Sequence, residues 1–169
     1  MKNNLILVLP LLLAACGSDK AAHICPQVAA VRELAQITDF GRDDTPGLNS
    51  MVAAAKIDSI EGDCAFRSTN IDADFDVHLT ARRGSGLGGD QAEFPYFVAV
   101  LDQNNTPVSK QNLSAVMRFS GKDTAVESVE KIHVKIPTVA DSAGEWRVLV
   151  GFQLTPEQLA FNRQKERTP

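Results

Sequence analysis

Aromatic residues make up 6% of this chain, with one tryptophan and one tyrosine, and there are three cysteines. No two cysteines form a C-x-x-C pair, which excludes the usual zinc-knuckle and thioredoxin-like spacings. His23, His78 and His133 are scattered, and none sits four residues from another as a helical zinc site requires. No Gly-x-Ser-x-Gly elbow is present. Basic residues do not dominate either: 17 Lys and Arg stand against 21 Asp and Glu, a net charge of −4. That balance gives no footprint for nucleic acid and no polybasic membrane patch. Long apolar runs are also missing. A membrane-crossing helix needs about 20 apolar residues, and the best stretch, Leu5 to Ala15, has eleven with Pro10 inside it.

That short run has the parts of a secretory signal. Lys2 supplies the positive start, Leu5 to Leu13 the apolar centre, and Ala14 and Ala15 the small residues before a cut, so residues 1–15 are expected to be removed. Leu13-Ala14-Ala15-Cys16 resembles the lipobox of bacterial lipoproteins. The resemblance implies cleavage behind Ala15, then a diacylglyceryl thioether and an N-linked acyl chain such as palmitate on Cys16. Two or more chains hold a protein on a bilayer stably where one does not, so the membrane becomes a partner through Cys16. An aspartate after the cysteine tends to retain such proteins in the inner membrane; Gly17 stands there instead, which implies the periplasmic face of a Gram-negative outer membrane. Residues 16–23 then form the lipidated cysteine and a short polar tether, reaching only ~20 Å when extended.

The mature chain keeps 154 residues, with 16 basic against 21 acidic, enough for one domain with a real core. With Cys16 committed to lipid, Cys25 and Cys64 remain, and an oxidising periplasm favours their pairing as a structural disulfide.

Residues 24–163 are expected to form that domain, N-terminal segment included, and 164–169 a flexible tail. Val28, Val31, Leu34 and Ile37 recur at helical spacing, while Pro26 and the β-branched residues equally permit a short strand at 28–31, so 24–40 stays open between the two. Asp39 to Ser50, "DFGRDDTPGLNS", has loop chemistry. From there the period becomes two. Ile71, Ala73, Phe75, Val77, Leu79 and Ala81 alternate with polar residues, as a strand with one buried face does. "FPYFVAVL", residues 94–101, is apolar at both parities and reads as a central strand; "DQNNTP" then turns it into Val108 to Phe119. Ile132, Val134 and Ile136 mark another strand, and Trp146, Val148, Val150, Phe152 and Leu154 a further one. With strands at 52–60 and 64–67, about seven are expected, which points to an all-β sandwich. Thr155, Pro156 and Gln158 spell a helix start, predicting a short terminal helix over 156–163.

"YFVAVLDQNNTPVSK", "KIHVKIP" and "AGEWRVLVGFQL" resemble the middle and late strands of immunoglobulin-like and fibronectin-type sandwich domains, over roughly residues 52–154. The chain departs from that pattern at Trp146, which stands where a corner tyrosine is usual, and after Leu154, where a helix replaces the last strand. A missing last strand leaves an open edge. Either residues 24–40 or the terminal helix covers it, or a partner adds a strand there.

Two stretches invite chemistry. "RRGSGLGGD", Arg82 to Asp90, has phosphate-loop glycines but no helix behind them, and reads as a flexible hairpin loop. Asp72, Asp74 and Asp76 open like a calcium loop, but Val77 and Arg83 occupy the positions that need glycine and glutamate. A solvated strand face is the simpler reading. No catalytic residue, metal ligand or cofactor is assigned, and the expected role is a non-enzymatic binding or scaffolding lipoprotein with an envelope protein as its partner. The alternatives are an accessory subunit of an envelope assembly or transport complex and, third, a hydrolase with an unrecognised site. Cys16→Ser is expected to abolish labelling by radioactive palmitate in growing cells; normal labelling of that variant would refute the lipobox.

Overall fold

The alternation over residues 71–81 is realised as a strand: Ile71, Ala73, Phe75, Val77, Leu79 and Ala81 are each 4% exposed or less. The computed structural model describes residues 23–41 and 51–167. The expected signal peptide, Cys16, residues 17–22 of the expected tether and residues 42–50 of the expected loop lie outside the described residues. The strands are β1 Gln27–Ala30, β2 Gln36–Asp39, β3 Ala53–Phe66, β4 Ile71–Arg83, β5 Gln91–Leu101, β6 Pro107–Arg118, β7 Ala125–Ile136 and β8 Arg147–Phe152. One helix, α1, follows over Pro156–Arg167.

They form an all-β sandwich. One sheet has the order β1-β8-β5-β6 and the other β2-β3-β4-β7. Side chains from both inner faces fill the space between, among them Phe75, Val77, Phe94, Met117, Ile136 and Phe152. Phe94 and Phe152 meet edge to face, with ring centroids 6.2 Å apart. All pairings are antiparallel except β1 with β8.

That exception answers the question of the open edge. β1 lies parallel to β8, Gln27 beside Arg147 through Ala30 beside Val150. The Gln27 N–H donates to the Trp146 carbonyl at 3.1 Å and the Val31 N–H to the Val150 carbonyl at 2.8 Å. The chain therefore covers the β8 edge itself, and a partner strand at that position is excluded. Of the two readings left open for residues 24–40, the short strand holds, as β1 over Gln27–Ala30. After β1 a 3₁₀ turn over Arg32–Leu34 crosses the outside of the sheet, and β2 then joins the opposite sheet. Leu34 rests on the backbone of Gly151, where an added Cβ would lie 2.9 Å from the Leu34 Cβ.

Three expectations need correction. The separate strands at 52–60 and 64–67 are one strand, β3, whose register shifts between Ile57 and Ser59. The bulge inserts an extra residue and reverses which parity faces inward, so the alternation looks broken where the strand is continuous. The glycine-rich loop is no hairpin, because β4 and β5 belong to different sheets and residues 84–90 cross between them. Gly84 is needed there: an added Cβ would lie 1.9 Å from the Met51 carbonyl oxygen. Finally, α1 runs through Arg167, four residues past Arg163, so 164–167 is helical.

The helix start follows the sequence signal. The Gln158 N–H donates to Thr155 Oγ1 at 3.2 Å, and the Thr155 N–H donates back to Gln158 Oε1 at 2.9 Å. This reciprocal box satisfies two helix-terminal donors. Buried Asn162 then donates to the carbonyls of Glu33 (3.1 Å) and Gln36 (2.8 Å), while Arg163 pairs with Glu33 at 3.1 Å. The helix is thus fastened to the segment that joins β1 to β2.

Cys25 and Cys64 form a disulfide, with Cα atoms 5.9 Å apart and a separation of 39 positions in sequence. Closing a loop of that length stabilises a domain by about 4 kcal/mol in the chain-entropy model. Cys25→Ala/Cys64→Ala is expected to lose stability of that order in urea unfolding, and titration of denatured, unreduced chain should find neither thiol free. Two reactive thiols from this pair would refute the bridge.

Candidate functional site

A strand buried on one face offers its other face to solvent, and on β4 that face carries Asp72, Asp74, Asp76, His78 and Thr80. Register decides what they meet. Asp63 of β3, Asp74 of β4 and His133 of β7 stand in one row, and Glu61, Asp76 and Lys131 in the next. With His78 these residues line a groove of about 440 Å³ on the outside of the sheet. His133 Nδ1 lies 2.8 Å from Asp74 Oδ1, and Lys131 Nζ donates to both Asp76 oxygens at 3.1 and 3.2 Å.

The groove has an excess of carboxylates. Asp63 sits directly opposite Asp74, and Glu61 opposite Asp76. Like charges placed across two strands destabilise a sheet, and here two cross-strand pairs of them adjoin. Lys131 and His133 approach from the β7 side, leaving Glu61 and Asp63 without a cation partner among the described residues. The Ser59 hydroxyl reaches Glu61 at 3.5 Å.

Gly62 lies between those two acids and shapes the floor. A Cβ there would fall 2.2 Å from the Asp74 carbonyl oxygen and 2.6 Å from the Phe75 Cα. The strands approach too closely for any side chain. A second hollow of about 190 Å³ continues from Gly62 and Cys64 to Pro26 and Val28, so the disulfide forms part of the wall beside the groove.

Nearby acids are held differently. Arg67 Nε donates to Asp72 Oδ2 at 3.0 Å and Asn70 Nδ2 to Oδ1 at 2.9 Å. The bond from Arg67 is the main reason the Asp72 carboxyl sits below its ordinary value. At Asp58, in the β3 bulge, burial pushes the carboxyl up, but hydrogen bonds from Lys56 and Thr80 outweigh it and leave the group low. These two acids are answered within the fold; Glu61 and Asp63 are not.

Sequence reasoning named Asp74, Asp76, His78 and His133, and the register gathers all four on one groove. His23 lies apart, its ring 5.1 Å from that of Phe66 and its Nδ1 4.0 Å from Asp141. Residues 82–90 lie outside the groove lining. Glu61, Asp63 and Lys131 were not singled out, because the signal that unites them is cross-strand register and not spacing along the chain. Among the described residues, no three His, Cys, Asp or Glu side chains converge to hold a metal ion, and no helix is long and apolar enough to cross a membrane.

One more carboxylate points the other way. Glu130 faces inward on β7, opposite Val77, and accepts a hydrogen bond from the Tyr96 hydroxyl at 3.5 Å and one from Ser128 Oγ at 3.2 Å. Burial first, then the negative charge of Glu130, pushes the Tyr96 phenol up to about 12. An unfolded phenol ionises near ~10. Above that pH the unfolded chain releases its proton first, so this contribution to stability declines as pH rises from ~10 and is gone beyond the folded value. Ultraviolet titration of the single tyrosine is expected to centre near 12. Glu130→Gln should lower the midpoint yet keep it above the ordinary value, since burial is the larger cause. An ordinary midpoint in the native protein would contradict this.

Comparison of the chain with protein-family models, curated proteins and solved structures gives no match.

Proposed function

We propose that this chain is an outer-membrane lipoprotein, anchored through Cys16, that works as a non-catalytic docking module for a basic segment of an envelope protein. The observation that carries the reading is the pair of like-charge rows, Asp63 opposite Asp74 and Glu61 opposite Asp76. Cross-strand repulsion of this kind costs a sheet stability, and a cationic partner laid along the groove removes the cost. Affinity then comes from charges the fold itself leaves unanswered.

Placement supports the same reading. The described chain begins at His23, against Phe66 at the β3–β4 turn. Asp63 and Asp74 are three residues from that end on each strand, or about 10 Å along it. Adding the ~20 Å tether reach keeps the groove close to the membrane surface. This favours a partner that is itself embedded in the membrane, which is the second reading: an accessory subunit of an envelope assembly or transport complex.

Cross-linking in intact cells, followed by mass spectrometry, tests the proposal. Glu61→Gln/Asp63→Asn is expected to lose the main cross-linked protein while melting no earlier than the native domain, because each facing pair then keeps a single acid and the repulsion is removed. An unchanged cross-linked product at unchanged yield would overturn it.

A further inference from the structure

β7 bonds β4 along one side over its whole length, and β7 ends its sheet among the described residues. An edge of twelve residues is long for a sheet to leave open. Its side chains alternate cleanly. Glu127, Val129 and Lys131 face outward, with Val129 44% exposed, while Val126, Ser128, Glu130 and Ile132 face inward opposite Ala81, Leu79, Val77 and Phe75.

This pattern complements itself about Val129. Laid antiparallel on a second β7 with Val129 opposite Val129, the strand sets Glu127 against Lys131 twice, once on each side of the axis. Inward, Val126 meets Ile132 and Ser128 meets Glu130. Opposite charges and apolar pairs directly across two strands are the contacts that stabilise a sheet. Moving the register by two residues in either direction destroys the match: one shift sets Glu127 against Val129, and the other sets Glu130 against Glu130. β6, the free edge of the other sheet, contains no acidic residue, so two copies of it place Lys110 and Arg118 without counter-charges.

We propose that β7 is a self-association edge, pairing antiparallel with β7 of a second copy centred on Val129 and joining the two β2-β3-β4-β7 sheets into one. Inward-facing charge on an edge strand discourages indiscriminate pairing. Glu130 has that effect, and only the register centred on Val129 presents it with the serine of the other copy. Lys131 keeps its bond to Asp76 (3.1 Å) and gains Glu127 from across the axis. Both acidic grooves then open on the same side of the joined sheet. The inference rests on the strand pattern and holds whatever the grooves bind.

Sedimentation velocity of the full mature chain in detergent, over a concentration series, reads the association directly. The native chain is expected to dimerise, and Glu127→Lys or Lys131→Glu alone to weaken the dimer by roughly tenfold or more, an effect equivalent to ~1.4 kcal/mol. The double variant Glu127→Lys/Lys131→Glu should restore it, because the charges are exchanged across the axis and not lost. Val129→Lys, which sets two ammonium groups against each other, should abolish it, and melting curves verify that each variant is folded. A native chain that stays monomeric throughout, or a dimer indifferent to the single reversals, would overturn the proposal.

Discussion

The outer edge of β8 has no later strand to bond, and the N-terminal segment answers it. Backbone groups along a buried-faced strand must be paired or wetted, and β1 pairs four residues of β8 in parallel. Four residues of parallel ladder are a weak clasp, and three further contacts hold the segment down. The Cys25–Cys64 disulfide ties the start of β1 to β3 of the other sheet. Gly151 leaves room for Leu34 on the outer face. Asn162 accounts for one carbonyl of the turn between β1 and β2, that of Glu33, and for that of Gln36 at the start of β2. The disulfide, the glycine and the terminal helix serve one purpose from three places in the sequence.

Much of this architecture is legible before any coordinates. Alternation from Ile71 to Ala81 names a strand and its inner face, and Thr155-Pro156-x-Gln158 names the helix start, because both signals are local and each residue's neighbours in sequence are its neighbours in space. Cys25 and Cys64 pair once Cys16 is set aside. What stays hidden is what depends on a distant element. β1 has no hydrophobic period of its own to announce it, since four residues show scarcely one repeat, and its partner lies 120 residues later. The β3 bulge conceals one strand as two. The groove is the hardest of all, since Glu61, Asp76 and Lys131 come from three strands and share nothing but a register.

The outer face of the β2-β3-β4-β7 sheet is unequal along its length. Near the β3–β4 turn it carries Glu61, Asp63, Asp74 and Asp76 around a close approach at Gly62; toward the far end it carries Lys56, Thr80 and Arg82 beside Ala54. At the far end Lys56 is already paired with Asp58. A sheet that needed only to fold would gain by exchanging one acid of each facing pair for a neutral residue. The uncompensated charge is therefore concentrated where the chain enters, on the side a short tether would hold nearest a membrane.

The edges follow a related logic. Exposed strand edges recruit other strands unless something prevents it, and this sandwich treats its four edges in different ways. β1 and β2 are four residues each, too short to recruit much, and α1 packs beside β2. β6 begins with Pro107, which has no N–H to offer, and carries Lys110 and Arg118 with no acid on the strand. β7 is the exception in length and in pattern: its charges guard it against a general partner and match one particular partner, itself. An edge that is protected by the same residues that complete a symmetric pairing is selective and not merely blocked. If Cys16 anchors the chain as proposed, that selectivity would matter more than strength, since a tether would confine two copies to a thin layer and raise their effective concentration.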